Sequence, residues 1–81
     1  MQREMITPEQ SREGRLLLGW SQLRLALIAD LPLTAVASFE FGAASADDTP
    51  FAIRVVLGAA GVEFIAENGG GPGVRLKTPV R

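Results

Sequence analysis

The sequence contains no cysteine and no histidine. Without cysteine there are no disulfides and no thiolate metal ligands, and without histidine there is no imidazole ligand, no Ser-His or Cys-His nucleophile pair and no histidine general base. Two adjacent carboxylates, Asp47 and Asp48, have neither metal-ligand spacing nor a nucleophile beside them. We therefore expect no enzyme activity, no metal and no small-molecule cofactor.

Long apolar runs are also absent. The longest uncharged apolar stretch, Leu25 to Ala29, is far shorter than the roughly 20 residues that span a bilayer. The first residues include Arg3 and Glu4 and show no apolar signal core. These features predict a cytoplasmic protein that makes no membrane contact.

Positive charge is scarce in the middle of the chain. The whole sequence has 8 Lys and Arg against 9 Asp and Glu, and the segment from Leu25 to Ile53 holds acidic residues but no basic one. Nucleic-acid binders obtain most of their non-specific affinity from Lys and Arg that neutralise phosphates. With 81 residues, of which 47% are hydrophobic, the chain predicts one small folded domain over 1–81 with an acidic middle.

Capping signals predict four helices. Thr7 and Gln10 around Pro8 form a capping box, and Gly19 suits the end of the first helix. Ser21 is a typical N-cap for the second helix, and Thr49 before Pro50 is a typical start for the fourth. The predicted helices cover about 8–18, 22–29, 33–41 and 51–60, and the second and third are separated by Asp30-Leu31-Pro32.

After Gly61 the apolar period changes from 3.6 to 2, which predicts a β-hairpin over about 62–77 with a glycine-rich turn from Glu67 to Gly73. An isolated two-stranded hairpin is marginally stable in water, so its apolar side chains need another surface. Helices of the same chain can cover one face, but two strand edges stay unpaired. We therefore expect the hairpin to pair with its counterpart in a homodimer, through the apolar side chains of Phe64, Val74 and Leu76.

The second helix, the three-residue break and the third helix together predict a helix-turn-helix unit. The segments TPEQSREGRLLLGWSQ, SFEFG and AAGVEFIAENGGGPGVRL resemble the small Cro-repressor-like, xenobiotic-response-element family of bacterial transcriptional regulators, in a branch with a C-terminal hairpin. The resemblance extends from Thr7 to Lys77. It implies a mainly α, four-helix Cro-repressor-like domain that binds operator DNA, usually as a two-fold dimer.

The sequence departs from that family where DNA would be contacted. Asp30-Leu31-Pro32 stands where the family usually has Gly-Val-Ser, and Phe41 stands where a basic residue is common, with none following it. Leu23 and Leu27 replace acidic or polar residues. Each change puts an apolar residue at a polar or basic surface position.

Several polar residues are candidates for DNA contact. One is Gln22, at the start of the second helix. The others lie on the outward face of the third helix and are Thr34, Ala35 and Ser38. A helix-turn-helix unit points these positions at a phosphate and at base edges. The alternative is that they are ordinary solvated residues, since the third helix has no Arg, Asn or Gln for bidentate base contacts. Arg12 and Arg15 are candidate phosphate clamps. They can equally pair with Glu9 and Glu13.

Four apolar residues, Leu23, Leu27, Leu33 and Phe41, cannot all reach the core of such a unit. They predict an exposed apolar patch, which on a small protein marks an interface. The alternative is a different packing of the second helix that buries them.

Two functions follow: a homodimeric DNA-binding transcriptional regulator, or a helix-turn-helix protein that has lost its basic DNA face and binds a regulator or a component of the transcription machinery.

Overall fold

The computed structural model describes residues 6–43, 48–65 and 73–77. Over these residues the chain forms four helices and one antiparallel hairpin. Their bounds are α1 Pro8–Leu18, α2 Gln22–Ala29, α3 Leu33–Phe41, α4 Thr49–Ala59, β1 Val62–Ile65 and β2 Gly73–Leu76. The predicted small, mainly helical fold with a C-terminal hairpin is therefore confirmed. No helix in the described part of the chain combines the length and the apolar character that crossing a membrane requires.

Local capping determines both ends of α1 and the start of α2. The Gln10 backbone N–H donates to Thr7 Oγ1 at 3.0 Å and the Thr7 N–H donates to Gln10 Oε1 at 2.9 Å, which completes the predicted capping box. Ser21 Oγ accepts from the Arg24 N–H at 3.0 Å. Gly19, with φ of 74°, ends α1 in the left-handed region, where glycine has no steric cost.

The start of α4 differs from the prediction. Asp48 is the residue before the helix, Thr49 is the first helical residue and Pro50 the second. The prediction that Thr49 caps this helix is wrong. Proline fits any position of the first helical turn, because the amide hydrogens of that turn have no acceptor within the helix, so Pro50 does not fix which residue is the cap. The helix also ends at Ala59, one residue before the predicted end, and Ala60 is exposed.

The core lies between the four helices and the first strand. Its buried hydrophobic residues are Ile6, Leu25, Ala26, Val36, Phe39, Ile53, Leu57 and Val62. They include Val36 and Phe39, which lie on the inward side of α3. The α1 helix approaches this core closely at Gly14, where a Cβ atom would lie 3.1 Å from Leu57 Cδ1.

The hairpin packs on the helices of its own chain. Val62 pairs with Leu76 and Phe64 with Val74, and the last three are partly buried against the core. The Gln10 side chain donates to the carbonyl oxygens of Ile65 and Gly73, at 3.3 and 3.0 Å, which ties the loop end of the hairpin to α1. Residues 67–72 of the predicted turn lie outside the described residues, and Gly73 belongs to β2.

Candidate functional site on the second and third helices

Helices α2 and α3 are joined by a short, fixed turn. Asp30 adopts a left-handed conformation with φ of 59° and ends α2. The Leu31 N–H donates to the Ala26 carbonyl at 2.9 Å, and the Pro32 carbonyl accepts from the Ala35 N–H at 3.0 Å. The predicted break at Asp30-Leu31-Pro32 is confirmed, and α3 begins without a side-chain cap.

A buried carboxylate holds α3 against α1. The Glu40 side chain, 2% exposed, accepts from Arg15 Nη2 at 2.8 Å and from Arg15 Nε at 3.0 and 3.2 Å. Ser11 Oγ donates to Glu40 Oε2 at 2.6 Å, and Gln22 Nε2 donates to Glu40 Oε1 at 3.1 Å. We call these four side chains the Glu40 network. Because Gln22 is the first residue of α2, the network connects α1, the start of α2 and α3. Arg15 Nη1 also donates to the Trp20 carbonyl, just before α2, at 3.0 Å.

The network keeps the Glu40 carboxyl charged. Burial raises the pKa of Glu40. The hydrogen bonds from Arg15, Ser11 and Gln22 and the positive charge of Arg15 together lower it by more, so that the pKa lies below the ordinary value of 4.5. A buried carboxylate with these donors resembles other buried ion pairs, in which each charge needs its partner. The Glu40 network is therefore a structural element that sets the position of α3.

The candidate DNA contacts do not form one polar face. Arg15 and Gln22 donate to Glu40, and Arg12 Nη1 donates to the Glu40 carbonyl oxygen at 2.8 Å. The alternative pairing of Arg15 with Glu9 or Glu13 is also wrong, because its partner is Glu40. A phosphate contact by Arg15 would require breaking the buried pair.

The remaining candidates lie on α3. Thr34 and Ser38 are exposed, four residues apart and thus on one face of the helix, whereas Ala35 is half-buried. The described surface of α3 therefore offers two hydroxyls and no cation to a ligand.

The four apolar residues predicted to lie outside the core do so. The exposed fractions are 53% for Leu23, 70% for Leu27, 44% for Leu33 and 91% for Phe41. The alternative packing that would bury them is wrong. We call these residues, two on α2 and two on α3, the apolar surface. Contiguous exposed apolar patches typically mark interaction sites, and these four residues lie on two helices that are joined by a short turn.

The other interface candidates, Phe64, Val74 and Leu76, are partly buried against their own core. Among the described residues the sheet contains β1 and β2 alone, so each strand has an outer edge. Pairing of these edges with a second chain stays a prediction.

No model of a known protein family and no curated protein sequence matches the chain.

The Glu40 network is the feature of this site that the sequence did not predict. The available signal was the i, i+4 spacing of Ser11 and Arg15 on α1, together with the absence of any other charged residue on α3. Both donors at this spacing face one side of a helix. Because a lone carboxylate on an apolar helix is costly to bury without partners, such donors are what it needs.

Proposed function

We propose that this protein is a helix-turn-helix protein that acts in transcription by binding another protein through its apolar surface. The observation that carries the proposal is the exposure of Leu23, Leu27, Leu33 and Phe41 on the two helices that such a unit presents to its ligand. The resemblance of the sequence to Cro-like regulators supports the assignment to transcription.

The energetics favour a protein ligand over DNA. Full burial of a Leu or Phe side chain contributes about 1.5–3 kcal/mol, and Phe41 and Leu27 are 91% and 70% exposed. A phosphate backbone cannot provide that burial, whereas a protein pocket can. Aromatic anchors in such pockets often dominate the affinity of protein interfaces.

Operator DNA is the second candidate ligand. It is supported by the two helices of 8 and 9 residues around the turn, and by Thr34 and Ser38 on the outward face of α3. A homodimer would place the two copies of α3 in major grooves about 34–36 Å apart. The weakness of this candidate is that the segment from Leu25 to Ile53 lacks Lys and Arg.

Photochemical crosslinking from position 41 distinguishes the two ligands. The full-length chain, with benzoylphenylalanine in place of Phe41, is expressed in cells and irradiated, and the crosslinked product is tested for protein and for nucleic acid. We expect a protein crosslink that Leu33→Glu diminishes. Val55→Glu, an equally polar change at a 49% exposed residue of α4, is the matched control and leaves the crosslink unchanged.

A mobility-shift titration against bulk DNA at low and moderate salt completes the test. We expect weak binding with a shallow salt slope, because few cations are available for phosphates. A slope corresponding to about six or more phosphate contacts, together with crosslinking of position 41 to DNA, would establish the second candidate instead.

A further inference from the structure

The outward face of α1 combines an acidic residue with two exposed leucines. Glu13 is exposed, and the leucines three and four residues later, Leu16 and Leu17, are 65% and 42% exposed. Residues at this spacing share one side of a helix. We call Glu13, Leu16 and Leu17 the α1 face.

The outward face of α2 repeats this pattern with the opposite charge. Arg24 is exposed, and Leu27 and Ile28, again three and four residues later, are 70% and 46% exposed. We call these three residues the α2 face. Neither Glu13 nor Arg24 makes an ion pair within the described part of the chain. The protein therefore carries two helix faces of equal spacing, similar apolar character and opposite charge.

We propose that the α1 face of one copy packs against the α2 face of a second copy. The α-helix rises about 1.5 Å per residue, so on both faces the charge lies about 4.5–6 Å from the apolar pair along the axis. A parallel alignment then places Glu13 opposite Arg24 and the apolar pairs opposite each other. This goes beyond the proposed function, because it adds a surface on α1 and names its occupant as a second copy of this chain.

Other pairings of the two faces are less favourable. Parallel packing of two α1 faces, or of two α2 faces, brings like charges together, and antiparallel packing sets a charge against leucines. The arrangement requires both faces to lie on one side of the protein, and a two-fold axis that exchanges α1 of one copy with α2 of the other then forms both contacts at once. The result is a closed dimer with two Glu13–Arg24 pairs, which covers Leu27, the residue that the α2 face shares with the apolar surface, and leaves Phe41 on α3 for another partner.

Charge reversal tests this arrangement by sedimentation velocity of the full-length chain. Glu13→Arg and Arg24→Glu each turn two attractive pairs of the dimer into repulsive ones, and we expect either change to raise the dimer dissociation constant about tenfold or more. The double variant restores both pairs. An equimolar mixture of the two single variants also restores association, because each contact of the heterodimer again joins opposite charges.

Lys77→Glu is the matched control, since it changes the net charge as Arg24→Glu does at an exposed residue outside both faces, and it leaves association unchanged. The proposal is overturned if single variants associate like the parent chain, or if neither the mixture nor the double variant recovers. It is equally overturned by a dimer that ignores both reversals and protects the outer backbone amides of β1 and β2 from exchange. Crosslinking from position 41 to another protein is unaffected by these outcomes, so the two proposals fail separately.

Discussion

Replacing Glu40 by glutamine removes the charge at the centre of the Glu40 network and preserves the shape of the side chain. Arg15, 11% exposed, then keeps its charge in a buried position without its carboxylate. Removing one partner of a buried ion pair costs about 3–5 kcal/mol, and glutamine retains an acceptor, so we expect Glu40→Gln to lower the free energy of unfolding by about 3 kcal/mol. A domain of this size has about 4–12 kcal/mol in total.

Urea unfolding, followed by Trp20 fluorescence and far-ultraviolet circular dichroism, measures this loss. The corresponding decrease of the thermal midpoint is about 12–24 °C for a domain of 60–100 residues. The double variant Arg15→Met with Glu40→Leu separates charge from packing, because it leaves no unpaired buried charge. We expect it to be more stable than Glu40→Gln, as apolar replacement of a whole buried pair is often neutral.

The pH dependence gives an independent test. Because the pKa of Glu40 in the folded protein lies below 4.5, the network stabilises the fold above the ordinary carboxyl pKa and loses this contribution as the pH falls through the folded value. In the Glu40→Gln variant the loss of stability on acidification becomes shallower. A Glu40→Gln protein that loses less than about 1 kcal/mol and titrates like the parent would refute the reasoning.

Further predictions concern the surface and the glycines. Leu27→Glu shifts the free energy of unfolding by about 0.5 kcal/mol or less, since Leu27 is 70% exposed, but abolishes association with a protein partner or a second copy of the chain. A large loss of stability in urea would place Leu27 in the core. Gly58→Ala raises the free energy of unfolding by about 0.5–1 kcal/mol, because Gly58 is helical and has open space around its Cβ position. Gly14→Ala lowers it, because the added methyl group meets Leu57 at 3.1 Å; equal effects of the two changes on the urea midpoint would contradict this.

Local signals account for most of what the sequence predicted. The bounds of α1, α2 and α3 depend on caps and breaks within a few residues, such as Thr7 with Gln10 and the turn at Asp30. The hairpin was equally local, since its alternating apolar residues determine which side chains face the helices. The start of α4 was missed because Thr followed by Pro fits a cap and a first turn equally well, and no side-chain hydrogen bond caps this helix at Asp48.

The candidate site was less predictable, because its polar residues interact over long distances in the sequence. Arg15 and Glu40 are 25 residues apart, and no local rule favours this pair over Glu9 or Glu13. The apolar surface was predictable for a different reason. Four large apolar residues exceed what the inward side of two short helices ordinarily buries, which predicted exposure for several of them, and only the structure decided against the packing that would bury them.

The Glu40 network and the apolar surface are physically connected through α3. Successive residues of a helix differ by about 100° in direction, so the inward anchoring of Glu40 by Arg15 and Ser11, together with the burial of Phe39 on its other side, directs Phe41 outward. The exposure of Phe41 thus follows from the burial of both Phe39 and Glu40 on the opposite side of α3. It follows that weakening the network in a chain that still folds reduces crosslinking from position 41, because the residue loses its fixed orientation, whereas Gly58→Ala stabilises the fold and leaves that orientation unchanged.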